Sequence, residues 1–342
     1  MIQFYYDKDL NVYPTQIEAI ISKRDCNFYF NDKEFSKLDW FNEPFEDLDT
    51  LYTLRAKQLR DEYEYLVLCF SGGTDSTHVL ETFYYNNIHI DEIVSVGALS
   101  QDNSENSSEN MNMLIRSNVI PRLKGYDLSK TKITVVDFSK YYHNPYQFSL
   151  VQKYRHEWPK YTGSYRSPYN LLWYDFKKIL GKDNKKNTAV IMASDKVKID
   201  FINNRPGVIF SDLAFTSLGG FSHDENYRRV NFYTDYTDIA SKILRKQAHT
   251  LMKIYDISQE NYHKIANDEQ NFAKFFYKYK DSPVFISEKS LYSSISGKDM
   301  FLRNAKNTEI NSLLGMSFSM MKNFGIDPKV KYNFKTKPYF IR

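Results

Sequence analysis

The residues best equipped for chemistry lie in one run, Ser71-Gly72-Gly73-Thr74-Asp75-Ser76-Thr77. Glycines permit positive φ and let the backbone approach a ligand closely. Successive main-chain N–H groups that lead into a helix N-terminus form an anion site. The hydroxyls of Ser71, Thr74, Ser76 and Thr77 add hydrogen-bonding groups. Asp75 would repel a bare phosphate, so its place in the run points to a Mg2+ ion between carboxylate and phosphates. The chemistry expected of the run is phosphate binding.

Such groups need elements to hold them. The segment just before the run, "YLVLCF" (65–70), is apolar throughout, as a central strand of a parallel sheet should be. A helix over roughly 75–85 follows. "DEIVSVGAL" (91–99) reads as the next buried strand, followed by the polar loop 100–112 and a helix around 111–124. "KITVVDF" (132–138) is the third strand. This alternation predicts an α/β fold built on a doubly wound parallel sheet.

Upstream, "IQFYY" and "CNFYF" predict short strands of a β-rich extension. Leu48, Leu51, Tyr52, Ala56 and Leu59 predict a helix over 46–62. Downstream, Ser167-Pro168 opens a helix that Gly181 ends. A strand over 188–194 and a hairpin around 203–207 come next. The helix over 238–255 has an apolar stripe of Ile239, Ile243, Leu244, Ala248, Leu251 and Ile254. Its polar face carries Lys242, Arg245, Lys246, His249 and Lys253. The expected divisions are residues 1–62 as the extension and lead-in helix, 63–256 as the nucleotide domain, and 257–342 as a mixed, mostly helical region packed on it.

Composition sets the outer bounds. A chain of 342 residues allows one large domain or two ordinary ones. Its 28 Tyr and 25 Phe suit core and half-buried positions, and leave base stacking open. A net charge of +4 accommodates an anionic ligand without demanding nucleic acid. Two cysteines with no CxxC pair disfavour a cysteine-based zinc or iron–sulfur site and a disulfide framework. The expectation is a cytoplasmic protein with no leader and no membrane partner.

Spacing separates three kinds of phosphate loop. A Walker loop needs GxxxxGK followed by Ser or Thr, and a dinucleotide loop needs GxGxxG. The run fits neither. The third pattern, SGGxDS, is matched by Ser71 to Ser76 at every fixed position, with a strand before it and a helix after it. On these residues the chain resembles the PP-loop ATP pyrophosphatase (adenine nucleotide alpha-hydrolase-like) superfamily. The second half looks like a reduced asparagine-synthetase-type synthetase domain or its viral relatives.

The resemblance implies a Rossmann-like, PP-loop type of fold and cleavage of ATP between the α- and β-phosphates, with Mg2+ as cofactor. Ser71, Gly72, Gly73, Thr74 and Ser76 would cradle the β- and γ-phosphates, with Thr77 beside them. Asp75 would hold Mg2+, and Val96, Gly97 and Ala98 would contact adenine through backbone. Asp195 would share the Mg2+, while Lys196, and after it Lys246, would neutralise charge on the leaving pyrophosphate. Arg229 and Arg245 are the next cations to consider; Asp212 and His249 are further polar candidates.

The expected function is ATP-dependent adenylation of a carboxylate or amide-type substrate for attack by a nitrogen nucleophile. The chain lacks the nucleophilic cysteine at residue 2 of glutamine-fuelled relatives, where Ile2 stands. Nucleobase modification in tRNA or DNA, and non-catalytic nucleotide binding, are the alternatives. The acceptor, a small molecule or a nucleobase, is not specified by these residues.

Overall fold

The computed structural model describes residues 3–14, 16–97, 118–137, 187–193, 197–203, 205–210, 227–235, 237–258 and 334–341. Elements are numbered within those residues. The expected helix over 168–180 and most of the 257–342 region lie outside them, as do residues 98–117 with the polar loop 100–112.

The N-terminal residues form an antiparallel sheet in which β1 (Gln3–Asp7) lies between β2 (Val12–Tyr13) and β3 (Cys26–Phe30). Alternation along the strands sends Tyr5, Phe28 and Phe30 into the core. Two short helices, α1 (Gln16–Ile21) and α2 (Asp32–Phe35), flank β3. α3 (Leu48–Glu62) is capped by Asp47, whose carboxylate accepts from the Thr50 N–H at 2.7 Å. Its buried stripe contains all five expected residues and also Arg55.

After α3 come β4 (Tyr65–Cys69), α4 (Thr74–Tyr85), β5 (Glu92–Gly97), α5 (Ile120–Leu123) and β6 (Lys132–Asp137). They are followed by β7 (Thr188–Met192), β8 (Lys198–Ile202), β9 (Arg205–Ile209), β10 (Tyr227–Asn231), α6 (Asp238–Ser258) and β11 (Tyr339–Phe340). The main sheet is five-stranded and all parallel, in the order β10-β7-β4-β5-β6. In chain order, the strands after β4 build outward on one side as β5 and β6. The chain then returns to β4's other side for β7 and β10. That reversal beside β4 is a topological switch point, and open α/β sheets bind ligands at the carboxyl ends of the strands there.

Leu66, Leu68, Ile93, Ala189 and Ile191 join the principal core. Val67, Val94 and Val190 point to the other face and are buried as well. Both faces of the central strands are therefore covered, which explains the unbroken apolarity of 65–70. β10, "YRRVN", was not expected as a strand. It is an edge strand, paired with β7, and its Arg228 side chain is exposed; the charges hide it from an apolar-pattern reading.

The expected hairpin is present but tighter. Ile202 pairs with Arg205, and Asn203 after Ile202 has φ 51°. Pro206 and Gly207 belong to β9, and β11 pairs on its other side. Residues 334–341 also reach the N-terminal sheet, where the Phe28 N–H donates to the Lys335 carbonyl at 2.9 Å.

Candidate functional site

Ser71-Gly72-Gly73 leaves β4 at the carboxyl edge of the sheet, beside the reversal of strand order. Gly72 has φ 70°, and a Cβ there would lie 3.0 Å from the Asn118 carbonyl carbon and the Val119 nitrogen. Left-handed backbone and a close-packed neighbouring chain together require glycine at this position. Gly73 is extended (φ −73°, ψ 169°) and is the N-cap of α4, with no side chain to cap the helix. The first N–H groups of a helix have no intrahelical partner. Here they open at the carboxyl edge of the parallel sheet.

The hydroxyls fold the loop on itself. The Ser71 N–H donates to Ser76 Oγ at 3.3 Å, and the Gly73 N–H donates to Ser71 Oγ at 3.3 Å. Ser76 Oγ donates to the Gly73 carbonyl at 3.2 Å, and the two serine hydroxyls lie 3.2 Å apart. Ser76 and Thr77 are buried, Ser71 is exposed, and Gly73 and Asp75 are half-buried. Thr74 opens the helix.

Two groups far away in sequence reach this first turn. Arg122 Nη1 donates to Thr77 Oγ1 at 3.4 Å, so an exposed guanidinium stands beside the loop. The Tyr233 hydroxyl donates to the Asp75 carbonyl at 3.3 Å and lies 2.8 Å from His78 Nδ1. Burial, and then the nearby Asp75 charge, push the Tyr233 phenol well above its ordinary range, so it stays a neutral donor. On the neighbouring strand, Val96 and Gly97 run alongside Val136 and Asp137. Ser95 Oγ donates to the Phe70 carbonyl at 2.7 Å and ties β5 to the start of the loop.

Ala98, Asp195, Lys196 and Asp212 lie outside the described residues. Lys246 pairs with the segment at residues 43–44. Its ammonium is 2.8 Å from Glu43 and donates to the Pro44 carbonyl at 3.0 Å. Arg245 donates to the Asn42 carbonyl at 2.7 Å, and His249 Nε2 lies 3.0 Å from the Trp40 carbonyl. Lys242 and Lys253 pair with Glu46 and Glu43. The polar face of α6 is thus the seat of the 40–46 segment. Arg229 lies on β10.

Burial pushes the half-buried Cys69 thiol up to about 12, which disfavours a reactive thiolate there. Among the described residues no group of three or more His, Cys, Asp and Glu gathers as a metal site. A Mg2+ held by phosphate oxygens, water and the Asp75 carboxylate does not need such a group.

Arg122, His78 and Tyr233 were missed from sequence. Arg122 lies 45 positions from Thr77, and Tyr233 lies 158 from Asp75. No local spacing signals either contact. No family model, curated protein or solved structure matches the chain.

Proposed function

We propose that this chain is an ATP-dependent adenylating enzyme. It cleaves ATP to AMP and pyrophosphate and activates a carboxylate or amide-type substrate for a nitrogen nucleophile. The observation that carries this reading is the Ser71–Ser76 loop, curled at the carboxyl end of β4 where the strand order reverses. A doubly wound sheet of the PP-loop type accommodates the five parallel strands and their burial on both faces.

In this reading the uncapped N-terminus of α4 binds the β- and γ-phosphates. Asp75 would hold Mg2+ beside the phosphates, and the ion would supply positive charge there. Arg122 supplies the cation that the loop itself lacks, beside Thr77. Positioning and charge neutralisation are the main needs of phosphoanhydride chemistry. The cationic face of α6 is occupied by Glu43, Glu46 and nearby carbonyls, so that face lends no support to a nucleic-acid acceptor.

Incubation with ATP, Mg2+ and candidate carboxylates, resolved by thin-layer chromatography, is expected to yield AMP and pyrophosphate. ADP with orthophosphate as the main products would overturn the assignment.

A further inference from the structure

We infer that Tyr233 and His78 are positioning residues that set the Asp75 carboxylate for Mg2+; this rests on the phosphate-loop reading. Tyr233 stands on a firm platform just past β10. The Phe232 N–H donates to the Met192 carbonyl at 2.9 Å and carries the β7 pairing onward. The fully buried Arg55 donates to the Asn231 and Phe232 carbonyls, each at 3.3 Å, and to the Asp235 carboxylate at 2.6 Å. The sheet edge is thereby pinned to α3.

From this platform the Tyr233 hydroxyl spans to the first turn of α4. Asp75 and His78 are three residues apart, on one face of the helix, and the phenol meets both. With its proton on the Asp75 carbonyl, the bond to the ring is completed by donation from His78 Nδ1. The His78 ring in turn packs edge-on against Tyr52, centroids 4.6 Å apart. Gln247 of α6 donates to the Tyr52 hydroxyl at 3.0 Å. Rings and hydrogen bonds therefore run from α6 to the main chain of the residue bearing the loop's carboxylate. Burial would be satisfied by a phenylalanine at 233. The hydroxyl adds orientation of the Asp75 turn, the task that groups behind a metal ligand perform.

The test is Tyr233→Phe in the full chain, with Mg2+ and ATP titrated separately. Mg2+ half-saturation for ATP cleavage is expected to rise about tenfold. ATP binding without Mg2+ is expected to stay within about twofold, and the melt to remain cooperative. His78→Asn approaches the same chain from a half-exposed residue that lines a groove of about 600 Å³. It is expected to shift Mg2+ dependence in the same direction, which keeps the test decisive if Tyr233→Phe misfolds. A purely structural role would lower melting temperature and leave Mg2+ half-saturation unchanged; that result in a folded variant overturns the inference alone. Wild-type protein that neither binds nor cleaves ATP with Mg2+ overturns the phosphate-loop reading, and this inference with it.

Discussion

Asp75 places a carboxylate in the first turn of a helix whose N-terminus is otherwise suited to anions. A first-turn carboxylate that complements the helix dipole would explain the residue as well as a metal ligand would, and one substitution separates the two. Asp75→Asn preserves size and removes charge. Turnover is expected to fall on the order of 10²-fold, as for other lost electrostatic contacts. Normal turnover at saturating Mg2+ would mean that Asp75 only complements the helix dipole. Arg122 tests the other half of the charge balance. Arg122→Ala is expected to weaken pyrophosphate binding about tenfold while leaving adenosine binding intact, as read by competition against labelled ATP. Equal affinity for pyrophosphate would place the cation elsewhere. The residue types of the loop were legible because they are contiguous and each has a local reason to be there. Arg122 and Tyr233 were not, because the crossover into α5 and the end of β10 bring them in; His78 follows the loop directly in α4, and only its contact with Tyr233 singles it out.

The strand–loop–helix unit β4–α4 was legible as an element for a similar reason. An apolar run, two glycines and a helical stretch follow one another without interruption. The division of labour between the glycines was not legible. Gly72 carries the positive φ and lies against the Asn118-Val119 backbone, whereas Gly73 has a φ any residue can adopt. Gly72→Ala is expected to cost about 1–3 kcal/mol of stability in chemical denaturation, and Gly73→Ala much less. The reverse ranking would mean that the 118–119 crossover yields and the loop conformation is not what Gly72 serves. α6 offers the opposite lesson. Its apolar stripe correctly announces a helix, and it packs along α3. Its polar face looked available for an anion because helical periodicity cannot show that Glu43 and Glu46 lie across it.

Across the whole molecule, the two ends of the parallel sheet carry different groups. The Ser71–Ser76 loop stands at the carboxyl end of β4; Glu92 begins β5 at the opposite end. Glu92 is fully buried and accepts from Tyr65 at 2.9 Å, from Lys132 at 2.8 Å and from Thr134. Burial would raise its carboxyl, but these hydrogen bonds outweigh it and hold the group below its ordinary range. The folded protein therefore binds this proton more weakly than the unfolded chain, whose glutamate titrates near about 4.3. The stabilisation is fully present above that value and is lost as pH falls through the lower folded-state value. Glu92→Gln is accordingly expected to cost on the order of 1 kcal/mol near pH 7, with the difference from wild type shrinking in denaturant titrations carried below about pH 4. ATP binding with Mg2+ is expected to be unchanged at neutral pH, because the network lies across the sheet from the loop. A stability difference that stays constant down to acid would remove the ionised carboxylate from the account. A parallel loss of ATP binding would show instead that the two ends of the sheet are coupled.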